Sequence, residues 1–267
     1  MSLLTWIMLF SLLGGVLSVL VAASFLLLPE GFRSRLLPHL VSFAIGSLLG
    51  AAFLGLLPHA LMGPEVEDFH EIFLVVLLGL LGFFLLEKMV LWRHCHSGHC
   101  EAHTPHGPDE KHDHGEHLHG APGTLVLVGD SIHNLVDGVL IAAAFLTDIH
   151  LGIVTALAIA AHEIPQEVGD FVILLHSGFT RAKALFYNVL SSLSTVLGAL
   201  LAYWSLAGME AILPYVLAVA ASSFIYIAVA DLIPGLHKRT EVSATVQQIA
   251  LIGAGVVVIY MAHSTLH

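Results

Sequence analysis

Eight apolar stretches, each near the length of a membrane-crossing helix, dominate this 267-residue chain. They run roughly over 3–28, 39–62, 70–92, 124–147, 151–177, 182–206, 211–235 and 247–264. A spanning helix needs about 20 predominantly apolar residues. Apolar and polar residues do not alternate within these runs, which excludes barrel strands. Charged residues make up 11% of the chain, against about 25% in a soluble domain. The chain therefore reads as an all-α integral membrane protein with eight transmembrane helices. It is expected to be multi-pass in a cell membrane, or in an organelle membrane if the source is eukaryotic. No Lys or Arg precedes the first run, and that run is too long for a leader's apolar core, so it is expected to be a span.

The basic residues set the orientation. Arg33 and Arg35 lie between runs 1 and 2; Lys88, Arg93 and Lys111 lie at or after the end of run 3. Arg181 and Lys183 separate runs 5 and 6, and Lys238 and Arg239 separate runs 7 and 8. All nine fall on one side, while Glu65, Glu67, Asp68, Asp148 and Glu210 occupy the other. Positive loops face the cytoplasm, so both termini are expected outside. The formal charge of −11 implies an acidic outer face, which suits cations and disfavours nucleic acid.

Helices 1–3 fill residues 1–92, and residues 93–123 break the apolar pattern with "RHCHSGHCEAHTPHGPDEKHDHGEHLHGAPG". Nine of the 19 histidines are here, among Gly, Pro, Asp and Glu. Such a stretch buries no core and is expected to be a disordered cytoplasmic loop. His94, Cys95, His96, His99 and Cys100 form its densest part, with ligands that suit a loose metal buffer. The two cysteines are expected to be reduced thiols. Helices 4 and 5 fill residues 124–177, and helices 6–8 fill 178–267.

Charge inside the membrane is the informative feature. Run 4 holds "GDSIHNLVDG", placing Asp130, His133, Asn134 and Asp137 within about a 100° arc of a helix. Run 5 holds "AAHEIPQEVGD". His162 and Gln166 are four apart and hence neighbours, with Glu163, Glu167 and Asp170 on an adjacent stripe. The two clusters sit midway along neighbouring antiparallel spans and are expected to meet near the bilayer centre. One acid at a helix centre costs about 2.5–3.5 kcal/mol, and no Lys or Arg sits at that depth to offset it. Carboxylates, imidazoles and amides without thiolates suit a borderline divalent ion such as Zn²⁺, Fe²⁺, Mn²⁺ or Cd²⁺. Pro165 is expected to kink run 5 and free the Ala161 carbonyl. Asn188, Ser191, Ser192 and Thr195 give run 6 a small polar face, read mainly as packing. His59 at the outer mouth, and Asp130 and His176 toward the inner side, are candidate stations on the way in or out. Proline-bearing ends on runs 2 and 7 hint at an inverted repeat.

"HNLVDG" and "HEIPQEVGD" resemble the signatures of the Zrt/Irt-like (ZIP) metal transporters. The eight spans, outside termini and His-rich loop after helix 3 are similar too. The resemblance implies uptake of a divalent metal, most commonly Zn²⁺, as transported substrate with no cofactor. It also implies a homodimer and inverted three-helix repeats around helices 4 and 5. By motif position it gives His133, Asp137, His162 and residue 166 to a primary metal. Asn134 and Glu163, sharing residue 166, go to a second. The sequence departs from the pattern at Gln166, where a histidine is usual, and in helix 6, which lacks an acid. No phosphate-binding loop is present, so a gradient is expected to drive transport. Competing readings are a cation efflux carrier, a metal-sensing membrane protein and an intramembrane metalloprotease. The last needs a second histidine where Gln166 stands.

Overall fold

The computed structural model describes residues 1–63, 66–95, 121–237 and 241–266. Eight long helices account for nearly all of them: α1 (Leu3–Phe25), α2 (Glu30–Leu61), α3 (Phe69–Cys95), α4 (Ala121–Thr147), α5 (Ile149–His176), α6 (Arg181–Leu206), α7 (Leu213–Leu236) and α8 (Val242–Leu266). No strand occurs among the described residues. Seven of these helices are long and apolar enough to cross a membrane; α5 has the length but carries Glu163, Glu167 and Asp170.

Local chemistry sets the helix ends. Ser2 caps α1 by accepting the Thr5 N–H at 3.2 Å. Asp148 alone separates α4 from α5, and its carboxylate accepts the Leu151 N–H at 2.9 Å. Burial by itself would raise the Asp148 carboxyl. The Leu151 hydrogen bond and the nearby His150 and His59 outweigh it and hold the group below its ordinary value. Gly178, with φ of +87°, follows α5 in the left-handed conformation that favours glycine at a helix end.

Two helix limits differ from the sequence reading. Helix α2 begins at Glu30 rather than near residue 39, and runs through Pro38. Helix α8 begins at Val242 rather than near 247. Both extensions add polar turns, which apolar-run length does not register.

Three helices contain π-helical segments: Leu13–Leu17 in α1, Ala51–Leu56 in α2 and Ile227–Leu232 in α7. In α2 and α7 the segment is six residues long, and a proline, Pro58 or Pro234, follows two positions later. Helix α5 continues unbroken through Pro165.

Packing divides the helices into two sets. Helix α4 lies along α6 and α5, and α1 packs on α5 and α6. Helix α8 lies along α2, and α3 along α7. Small residues bring backbones together. A methyl at Gly138 would sit 1.9 Å from the Thr195 carbonyl, and one at Gly198 would sit 2.0 Å from that of Leu135. Gly46 and Gly255 make the matching close approach between α2 and α8. The main apolar core, with Ile45, Leu48, Phe145, Ile159 and Phe224, surrounds the middle of α4 and α5. Leu74, Leu77, Leu78, Leu81 and Phe84 stay exposed along α3, as a lipid-facing helix requires.

Candidate metal site

Halfway along α4 and α5, four side chains converge. The ligand atoms of His133, Asp137, His162 and Glu163 all lie within 4.8 Å of one another. His133 Nε2 is 3.3 Å from His162 Nε2, 3.3 Å from Glu163 Oε1 and 3.7 Å from Asp137 Oδ2. His162 Nε2 is 3.5 Å from Asp137 Oδ2 and 3.7 Å from Glu163 Oε1. A tetrahedron with metal–ligand bonds of about 2.0–2.1 Å has edges of about 3.3 Å. Five of the six edges, at 3.3–3.7 Å, come near that size, and the two carboxylate oxygens lie within 4.8 Å of each other. This is the one such ligand group among the described residues.

Helical spacing produces the cluster. His133 and Asp137 stand one turn apart on α4, and consecutive His162 and Glu163 straddle the facing edge of α5. His162 Nδ1 lies 3.2 Å from the Ala158 carbonyl. Donation there leaves the Nε2 lone pair aimed at the cluster, the arrangement a metal-bound imidazole uses. His162, Asp137 and Glu163 are each 1% exposed, whereas the His133 side chain is 24% exposed. Neither carboxylate has a hydrogen-bond donor on either oxygen. Buried carboxylates without donors are costly, so the cluster is chemically incomplete as it stands.

His133 opens onto a cavity of about 550 Å³. Asp130, Gln166 and Asp170 line it, and so do Glu87 from α3 and Asp231 from α7. Tyr226 donates to Glu87. The sequence reading missed Glu87 and Asp231. The available signal was an acid near the end of each of runs 3 and 7, on the same side as Asp170.

The other candidates are distributed as follows. Gln166 lies half-buried in the wall of the cavity onto which His133 opens. Asn134 turns toward α6 instead. Its amide donates to the Asp130 carbonyl at 3.1 Å and to Asp130 Oδ1 at 2.9 Å, and its oxygen accepts from Thr195 at 2.7 Å. That network joins α4 to α6, and Ser131 with Ser191 at 2.8 Å extends it. Ser192 spends its hydroxyl on the Val189 carbonyl. Asn188 is fully buried with no hydrogen bond to its side chain. Glu167 is likewise fully buried without a donor, in the field of Asp130, Glu163 and Asp170. His176 is exposed in the last turn of α5 and reaches the Val172 carbonyl at 2.7 Å. His59, near the end of α2, stands edge-on to His263 with ring centres 5.5 Å apart. His94 and Cys95 end α3. Pro64, Glu65, His96, His99 and Cys100 lie outside the described residues.

Eight long helices, seven of them long and apolar enough to cross a membrane, with two imidazoles and two carboxylates converging between α4 and α5, place the chain in the class of multi-pass membrane proteins with a donor set that suits a divalent ion. Comparison with known proteins agrees. A model of the family described as ZIP zinc transporter matches residues 2–262. Zinc transporter ZIP13 of Pongo abelii is 34% identical over 84% of this chain and 66% of its own length. Zinc transporter ZIP13 of Homo sapiens is 31% identical over 84% of this chain and 70% of its own. Metal cation symporter ZIP14 of Xenopus tropicalis is 31% identical over 78% of this chain. The chain spans 56% of that symporter's length. The chain belongs to the ZIP zinc transporter family, a family of multi-pass membrane transporters and not of enzymes.

Proposed function

We propose that this chain carries a divalent metal ion, zinc foremost, into the cytoplasm through a mid-membrane site formed by His133, Asp137, His162 and Glu163. The observation that carries this is the four-atom cluster, five of whose six edges are 3.3–3.7 Å. Two neutral imidazoles and two carboxylates leave a bound dication with no net charge, which is what an ion buried in lipid requires. Cadmium, iron and manganese suit the same donors with decreasing affinity for imidazole. Glu163, with Oε1 3.3 Å from His133 Nε2, is the fourth ligand of a single ion in this reading, and Gln166 lines the cavity beside it. Asn134, already hydrogen-bonded on both sides, serves as a strut.

Inward direction rests on two observations. Arg33, Arg35, Lys88, Arg181 and Lys183 mark one membrane face as cytoplasmic, which puts both termini outside. The cavity at His133 is walled by the ends of α3, α5 and α7 that lead to that same face. Outer acids Glu67 and Asp68 concentrate cations, and His59 receives them. From the cage the ion passes Asp130, Gln166 and Asp170, with Glu167 behind them. It then passes Glu87, Asp231 and His176 and reaches the His-rich segment, His94 to Cys100, which buffers it. Ligand carboxylates and imidazoles must be unprotonated to bind metal, so protons travel against or beside it. The ZIP14 relative is a metal cation symporter by name, which fits a coupled ion.

Helices α2 and α7 share a π segment followed by proline, and α8 packs on α2 as α3 packs on α7. This pattern supports an inverted repeat of α1–α3 against α6–α8 around α4 and α5. A homodimer completes the proposal. The test is flux: purified protein in liposomes loaded with a zinc-sensitive dye should admit Zn²⁺ and Cd²⁺. Equal influx in wild type and His133→Ala/His162→Ala would overturn it.

A further inference from the structure

Two cavities meet at Arg33, where α2 starts, and neither is lined by His133, Asp137, His162 or Glu163. The larger, about 470 Å³, is walled by Leu26 of α1, Phe171 and Leu175 of α5, and Leu185 of α6. Its charged groups are two guanidiniums, Arg33 and Arg181. The second, about 360 Å³, continues past Arg33 along Val168 and Val172, with Glu30 and His176 also in its wall. Among the described residues neither guanidinium has a carboxylate within ion-pair distance, and Arg33 Nε is buried without a hydrogen-bond partner.

We infer that this groove binds one anionic phospholipid, its phosphate held between Arg33 and Arg181 and an acyl chain lying along Leu26, Phe171, Leu175 and Leu185. Each part of the groove selects one part of that molecule. Guanidiniums present planar forks of N–H donors that match phosphate oxygens two at a time. The apolar walls, in a groove between spans at the membrane surface, suit a hydrocarbon chain and offer nothing to a free aqueous anion. A zwitterionic lipid brings a quaternary ammonium that two unpaired cations repel. Basic pockets between spans on the positive face are where anionic headgroups settle. The occupant ties the start of α2 to the start of α6, and so links the two packing sets. None of this depends on which ion the cage takes.

Native mass spectrometry of the full chain, stripped of lipid in a neutral detergent and titrated with dioleoylphosphatidylglycerol, tests it. Wild type should retain one such lipid per chain, and Arg33→Gln/Arg181→Gln should bind it about tenfold more weakly. Lys183→Gln, which outside the groove removes the one charge that Arg181→Gln removes within it, should match wild type. Equal retention by wild type and the double variant overturns the inference. So does phosphatidylcholine binding as tightly as phosphatidylglycerol, or displacement of the lipid by inorganic phosphate at matched concentration. Should the double variant fail to stay monodisperse, exposed Arg181→Gln alone decides, with about a threefold loss expected and no loss refuting.

Discussion

Replacing Glu163 by glutamine preserves the shape of the side chain and removes one charge from the cage. Glu163 Oε1 lies 3.3 Å from His133 Nε2 and 3.7 Å from His162 Nε2, at 1% exposure. With a dication bound, Asp137 and Glu163 together cancel its charge; Glu163→Gln leaves one positive charge uncompensated in the membrane. Breaking a buried ion pair from one side costs about 3–5 kcal/mol. At about 1.4 kcal/mol per decade, Cd²⁺ or Zn²⁺ affinity should fall by roughly two to three and a half decades. Gln166→Ala removes a half-buried amide from the cavity wall and should weaken binding by less than about tenfold. The metal-free protein should move the other way: Glu163→Gln removes a donorless buried carboxylate, so its melting temperature should not drop. Calorimetric titration of the purified variants with Cd²⁺, alongside melting curves without metal, reads both effects. A loss at Gln166 larger than that at Glu163 would refute the assignment of the fourth ligand.

Two further perturbations probe the frame around the cage. Gly138→Ala puts a methyl 1.9 Å from the Thr195 carbonyl, so α4 must retreat from α6 by about 1.5 Å, carrying His133 and Asp137 with it. Stability should fall by about 1–3 kcal/mol and Cd²⁺ affinity with it, whereas Gly82→Ala, facing open space, should gain about 0.5–1 kcal/mol; unfolding in detergent distinguishes them. Asp148→Ala removes the cap of α5 and should cost about 0.5–2 kcal/mol in the same assay. Because the Asp148 carboxyl is held below its ordinary value, its contribution is complete above the unfolded pKa of about 3.9 and fades as pH falls through the lower folded value. The gap between wild type and variant should therefore close on acidification, and a gap that widens would contradict the cap.

The spans were legible because lipid imposes a length and a polarity that few soluble helices share. Helix α5 shows why hydropathy is not the whole signal: its three acids hide a 28-residue helix from a simple apolar scan, yet the same acids single it out among the spans. Within the site, helical spacing gave the polar arc but not its neighbours. Asp130, His133, Asn134 and Asp137 share one arc on α4, but α5 meets only the His133–Asp137 edge while α6 takes the Asn134 edge through Thr195. A wheel of one helix carries no information about which partner lies on which side. Likewise the wheel left both Gln166, one turn from His162, and adjacent Glu163 open as ligands; the choice depends on how α5 crosses α4. Glu87 and Asp231 went unread because α3 and α7 had no motif to draw them to the cavity.

The π segments in α2 and α7 have a consequence for anyone altering these helices. Each inserts, in effect, one extra residue into a turn, so everything beyond it is rotated by about 100° from where regular winding would leave it. His59 in α2 and Pro234 in α7 therefore face directions that a straight extrapolation from the preceding turns misassigns. Deleting a single residue within 51–56 or 227–232 would let the coil rewind to regular pitch while the far end keeps the side it already faces.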